Sequence, residues 1–292
     1  MIIIAGKNRG RLGNRLTIFA HFISCAIENS LTIINLSFNE YACFFESLNQ
    51  DILCRYPKNR LTLLNGKKLR QILYEVSDKS INLLSKFEAS HWEIIKSKPG
   101  NPKFILSNNP EFFELARKKI VICQGYFFRD YENVAKHADK IKEYFCPIKE
   151  IQIKVDNLMN NIRKNSEIVI GIHIRQGDYE QFQGGKFFFT TTDYIKIMQK
   201  ARSLFINKNI AFLICSDTEQ NKSYFSEFNV TFGNNHIVED LYSLSQCDYL
   251  IGAPSSYSRW ASFYGDVPLC VIDRPDKDIS LDKFEINWTL AG

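Results

Sequence analysis

The sequence predicts an α/β protein of two Rossmann-like domains whose parallel sheets face a cleft. Three observations carry this expectation. Strand-like and helix-like segments alternate through the second half, as in a parallel, doubly wound sheet. The chain opens on strand, Gly-rich turn and helix, the start of a β-α-β unit. Its 292 residues, 45% hydrophobic and 24% charged, give room for two globular domains with ample cores.

The elements follow in order. "MIIIAG" is a short β-branched run and reads as the first strand. No basic stretch precedes it, so a signal peptide is not expected. "KNRGRLGN" reads as a turn containing Gly10 and Gly13. "NRLTIFAHFISCAIENS" repeats apolar residues at Leu16, Phe19, Ala20, Ile23 and Ile27, a helical spacing. "LTIINLS" is the second strand. Residues 40–118 have a weaker pattern, with "NLLSKFEASHWEIIK" reading as helical. "KKIVICQGYF" reads as a strand and "DYENVAKHADKIKEYF" as a helix that Pro147 stops. "KEIQIKVDNLMNNIRKN" is an amphipathic helix expected to link the halves, dividing the chain into domains 1–150 and 151–292.

The second half is cleaner. "EIVIGIHI", "IAFLICSD", "DYLIGAP" and "VPLCVI" read as strands. "TTDYIKIMQKARSLF" reads as a helix capped by Thr191 or Thr192, and "NHIVEDLYSLSQC" as a short strand feeding a helix. "SSYSRWASFYG" is the last helix.

Composition narrows the function. A formal charge of +5 suits an anionic small ligand or loose contact with an anionic membrane face, not nucleic acid. The eight cysteines include no C-x-x-C pair, so they read as buried, reduced thiols in a reducing compartment rather than as a zinc site. No run of about 18 apolar residues predicts a transmembrane helix.

In an open parallel sheet, ligands bind beyond the carboxyl ends of the strands. Four segments stand there. "RGRLGN" offers Gly10, Gly13 and a helix N-terminus, a shape that suits phosphate, with charge from Arg9 and Arg11; a plain tight turn would look the same. "HIRQGDY" places His173 and Arg175 on one face of a strand, with Gly177 to turn and Asp178 to pair with either; Arg175 is a fixed, planar cation suited to phosphate. "ICSD" ends on Asp217, a carboxylate for a guanine edge or ribose, or simply a turn former. "GAPSSYSRW" gives Ser255, Ser256 and Tyr257 at a helix start, either a cap or a phosphate site. Together they supply the parts that hold a nucleoside diphosphate. No Walker A, H-E-x-x-H, G-x-S-x-G or D-x-D pattern occurs, and the missing D-x-D disfavours a metal-dependent transferase.

"HIRQGDY" resembles the H-x-R-x-G-D-Y motif of the α-1,2-fucosyltransferases, glycosyltransferase family 11. "GRLGNRL" and "EDLYSLSQCDYLIGAPSSYSRWASFYG" resemble that family's early and late motifs, in the same order. The resemblance implies a GT-B-like fold, GDP-β-L-fucose as donor substrate with no other cofactor, and metal-independent, inverting transfer to an oligosaccharide acceptor, lipid-linked in one reading. It implies that Arg175 neutralises the diphosphate beside His173 and Asp178, with Asp217 near the nucleoside. Ser255, Ser256 and Tyr257 would then meet the phosphates, and Gly10, Arg11, Gly13 and Asn14 would approach from the N-terminal domain, which takes the acceptor. His21 and Asp178 are candidate bases. Three positions depart from the family pattern: Gln176 replaces an Arg, Arg15 a Gln and Arg259 a Trp. Competing expectations are an NAD-dependent Rossmann protein, a non-catalytic sugar-nucleotide or glycan-binding protein, and a transferase using another GDP-sugar. The expected location is the cytoplasm, at the inner membrane face, without an anchor helix.

Overall fold

The first strand and helix set the frame of the first of two units, Met1–Ile148 and Lys149–Gly292. The computed structural model describes residues 1–6, 10–58, 66–84, 90–97 and 103–290. The first unit runs β1 (Ile2–Ile4), α1 (Leu12–Asn29), β2 (Ile33–Asn35), β3 (Arg55–Tyr56), α2 (Lys67–Leu84), β4 (Trp92–Lys96), β5 (Phe104–Ile105), α3 (Pro110–Lys118), β6 (Ile120–Gln124), β7 (Phe128–Arg129), α4 (Tyr131–Lys136) and α5 (Ala138–Tyr144). Its main sheet has the order β3-β2-β1-β6-β4, with only β3 antiparallel to its neighbour, and β5 pairs with β7.

Helix α1 is apolar nearly all round and buried at Leu12, Gly13 and every residue from Leu16 to Ala26, which makes it a core helix rather than a surface one. Phe19 on α1 meets Phe38, Tyr144 and Phe145 at centroid distances of 5.5–5.7 Å. Such aromatic pairs add about 1 kcal/mol each beyond their buried area.

The second unit runs α6 (Lys149–Arg163), β8 (Ile168–Ile174), α7 (Thr191–Ser203), β9 (Ile210–Ser216), β10 (Val230–Phe232), α8 (Ile237–Leu244), β11 (Tyr249–Gly252), α9 (Ser256–Gly265) and β12 (Leu269–Val271). Its sheet, β10-β9-β8-β11-β12, is parallel throughout. Ile170, Ile172 and Ile174 of β8 pack with Tyr194, Ile197 and Met198 of α7 in its core. From β8 the chain steps outward through β9 and β10, then returns to the other side of β8 for β11 and β12. Strand order therefore reverses between β8 and β11, where open α/β sheets bind ligands. Helix α6, expected to link the halves, belongs to this unit and ties to α8 through Lys154 and Glu239, 3.0 Å apart.

Five local expectations are corrected. "HWEIIK" is not helical: it forms the edge strand β4 against β6, while residues 85–89 of that stretch lie outside the described residues. The single helix of 130–145 is two, α4 and α5, broken at His137, whose ring bonds Glu28 on α1. Helix α7 is capped by Thr190, not Thr191 or Thr192, in a reciprocal box with Asp193. The short strand before α8 is β10 at Val230–Phe232, and His236 caps α8 instead. Gly13 is not in a turn; it lies in the first turn of α1. All eight cysteines are free, and six are buried.

Candidate active site

In the second unit, three of the four segments singled out in the sequence meet at the carboxyl ends of the adjacent strands β9, β8 and β11. The chain leaves β8 at Ile174 and turns through Arg175–Tyr179. Asp217, just past β9, holds that turn: one oxygen accepts the N–H groups of Gln176 and Gly177 at 2.9 and 3.2 Å, and the other lies 3.3 Å from Arg175 Nε. A Cβ at Gly177 would sit 3.0 Å from Asp217 Oδ2, so the close approach favours glycine. The Asp217 carboxylate thus organises the turn in this structure.

Arg175 is gripped from a second side. Its Nε and Nη2 donate to the two oxygens of Asp178, both at 2.8 Å, a bidentate pair. Its guanidinium lies 5.3 Å from the Tyr179 ring centroid, and Tyr179 hydroxyl donates to the Pro254 carbonyl. Among the described residues no acceptor takes its Nη1. The side chain is 13% exposed, against 47% for Asp178.

His173, next to the last residue of β8, is buried. Its Nδ1 is 2.7 Å from Ser258 Oγ on α9, and its ring lies 4.9 Å from the Tyr257 ring. Burial, reinforced by the charge of Arg175, lowers its pKa to about 4, so it is neutral at pH 7 and locks α9 to β8. Ser255 caps α9 by accepting the Tyr257 N–H at 3.2 Å, and Ser256 begins the helix. Tyr257 is itself anchored, its hydroxyl donating to the Ile237 carbonyl at 2.7 Å, and burial pushes its pKa well up.

Sequence reasoning missed the polar fastening around Gln176. Its amide donates to the Phe189 carbonyl at 2.9 Å, and its oxygen accepts from Thr218 and Gln220 at 3.0 and 2.8 Å. Where the family pattern carries a cation, this chain has a neutral fastener between the turn and the segment after β9. The Thr and Gln just past "ICSD" were the signal available for it.

The fourth segment lies in the first unit. Gly10 has φ +68°, and a Cβ there would meet Asn14 Nδ2 at 2.0 Å, so Gly10 and Asn14 are fitted to each other. Arg11 is the N-cap residue of α1 without a side-chain capping bond. Arg15 lies across this helix start: its Nε donates to the Gly10 carbonyl, its Nη1 to the Ser37 carbonyl, and its Nη2 pairs with Glu40 at 3.1 Å. Arg9 lies outside the described residues. His21 is fully buried, with Nδ1 accepting the Asp130 N–H at 3.0 Å. Among the described residues, no group of three or more His, Cys, Asp or Glu could hold a metal ion, and no helix is long and apolar enough to cross a membrane.

Residues 112–291, more than half of the chain, match the profile of glycosyl transferase family 11. The chain belongs to that family. Solved structures share the fold across both units. FUT1 from Arabidopsis thaliana, a mutant in complex with GDP, is 12% identical with a TM-score of 0.62, over 97% of this chain and 73% of that one. NodZ α-1,6-fucosyltransferase soaked with GDP-fucose is 18% identical with a TM-score of 0.57, over 93% and 94%. Fucosyltransferase NodZ from Bradyrhizobium is 19% identical with a TM-score of 0.56, over 93% and 96%. No curated protein matches the sequence. This family 11 member is therefore a glycosyltransferase of mixed α/β, GT-B-like fold, and its turn at Arg175–Tyr179 lies inside the matched region.

Proposed function

We propose that this glycosyltransferase moves L-fucose from GDP-β-L-fucose to a hydroxyl of a cell-surface glycan or O-antigen precursor, at O-2 of a galactose-type residue, with inversion and without a metal ion. The GDP and GDP-fucose named for the structural relatives support the donor. One of those relatives is an α-1,6 enzyme, so the O-2 linkage rests on motif resemblance alone.

The observation that carries the proposal is Arg175 at the sheet's reversal point. Two carboxylates orient its guanidinium through Nε, Nη2 and the turn, while no acceptor among the described residues takes Nη1. With Asp178 and Asp217 the triad sums to −1, so a diphosphate binds only if Asp178, the more exposed partner, releases its edge of Arg175. The fork then takes phosphate oxygens. The N-terminus of α9 at Ser255 and Ser256 adds N–H groups and a favourable dipole. As the glycosidic bond breaks, negative charge grows on the β-phosphate, where a preorganised cation stabilises it. His173 acts as a positioning residue, holding α9 against β8. No residue is assigned as the general base. The second unit takes the donor and the first unit the acceptor; we place the protein in the cytoplasm, at the inner membrane face where a lipid-linked acceptor would be met.

Arg175→Ala tests this. We expect kcat to fall by about 100-fold or more, with circular dichroism unchanged. Near-normal kcat/KM in the folded variant would overturn the role. A second reading, a sugar-nucleotide-binding protein without turnover, is favoured by Gln176, which leaves the turn one cation short. GDP release in the presence of acceptor glycans separates the two.

A further inference from the structure

Arg129 is the last residue of β7 and is fully buried. Its Nη1 donates to the carbonyls of Tyr126 and Phe128 at 2.6 and 2.8 Å, and its guanidinium lies 4.6 Å from the Tyr126 ring centroid. Among the described residues, its Nε and Nη2 have no hydrogen-bond partner and no carboxylate pairs with it. Arginine cannot shed its proton, so among the described residues this is a buried cation without a counter-charge, a costly arrangement. Two carbonyls and one ring offset part of that cost.

The open edge is chemically specific. Nε–H and one Nη2–H project in parallel, in the plane, from one edge of the guanidinium, the geometry that takes two oxygens of a carboxylate or phosphate. In the second unit Arg175 uses this same edge on Asp178. In Arg129 it is unfilled. The place also fits: β7 follows the turn that leaves the carboxyl end of β6, and strand order in the first sheet reverses beside β1 and β6. The surrounding charge agrees. Residues 1–148 carry 22 Lys and Arg against 14 Asp and Glu, a balance of +8, whereas residues 149–292 carry 15 against 18, a balance of −3. The excess of the whole chain resides in the first unit, which therefore attracts anions.

We propose that Arg129 forms an oxyanion site for a carboxylate or phosphate group, and that the acceptor substrate is itself anionic. The second clause rests on the reading that the first unit receives the acceptor; the first clause does not. Because the guanidinium is buried, occupancy requires the residues that cover it to move aside, and the pair then forms in a low dielectric where it is strong.

The test uses the full chain saturated with GDP, so that the donor site is filled. The Nε–Hε resonance of Arg129, assigned by its loss in Arg129→Lys, is followed while inorganic phosphate or sodium glucuronate is added against chloride of matched ionic strength. A saturable shift with phosphate alone indicates a phosphate-bearing acceptor, with glucuronate alone a uronic acid, and with both a general oxyanion site; each supports the proposal. No shift with either anion overturns it. Thermal titration gives a second arm: the anion affinity should weaken about tenfold or more in Arg129→Met, and an unchanged affinity there also overturns it. If that variant does not fold, the wild-type resonance decides alone. GDP titration of the wild type, run separately, reports on the donor reading, so failure of one is not mistaken for failure of the other.

Discussion

Two buried side chains in the second unit titrate in opposite senses. His173 has its pKa lowered from 6.5 to about 4, by burial and then by the charge of Arg175. The unfolded chain binds its proton between those values and the native state does not, so this residue makes stability rise with pH from 4 to 6.5. Asp240 has its pKa raised from 3.8 to about 6, by burial, partly opposed by the Asn234 N–H bonded to its Oδ1 at 2.8 Å. The native state then holds the extra proton, so stability falls as pH rises from 3.8 to 6. Each effect is worth roughly 3 kcal/mol, and between pH 4 and 6 they oppose each other. Asp240→Asn should unmask the His173 slope: in urea titrations its stability relative to wild type should climb from pH 4 to pH 6. His173→Gln should tilt the other way. A difference between Asp240→Asn and wild type that does not vary with pH would show that Asp240 is ionised in the native state. Neither residue's titration was visible in sequence, because both depend on neighbours from other strands and helices.

At the scale of elements, the legible pieces were those whose signals are local. The alternating strands of the second unit and the core helix α1 stand in the sequence because one face, or the whole surface, is apolar. Strand β4 was read as helix because "NLLSKFEASHWEIIK" contains no Gly or Pro to break it, and an edge strand with a single neighbour carries only a weak alternation. His137, at the break between α4 and α5, bonds Glu28, more than a hundred residues away, a contact that leaves no local mark. The cap of α7 was legible after all: of three consecutive threonines, only Thr190 stands three residues before an acidic side chain, and that spacing defines the box. Thr190 N–H and Oγ1 lie 2.9 and 2.7 Å from Asp193 Oδ2, and Asp193 N–H donates back at 3.2 Å. Thr190→Ala should cost about 1 kcal/mol in global unfolding, and Thr191→Ala much less. Equal losses would place the cap one residue on.

For the whole molecule, the motifs at the strand ends marked where the candidate site lies, while its wiring came only from the fold. Asp217, expected near a nucleoside, ties the turn after β8; Gln176, where the sequence reading noted a missing Arg, fastens that turn. Both outcomes arise from the pairing of β8 with β9, which sets side chains some forty residues apart against one another. That arrangement makes a prediction about where donor binding is felt. If the diphosphate binds at the reversal point of the second sheet, GDP stabilises the elements that meet there, by about 2.7 kcal/mol at a hundred times its dissociation constant. Hydrogen exchange followed by mass spectrometry, with and without GDP, should show slowed exchange in peptides covering 174–180, 216–221 and 254–260. The amino-terminal ends of the same strands, at 165–168 and 208–210, should change less, because their turns lie at the opposite edge of the sheet. The first unit should show protection at most around 10–15. Protection centred on the first unit, with the turn at Arg175–Tyr179 unchanged, would assign the donor to the other half of the chain and remove Arg175 from the chemistry.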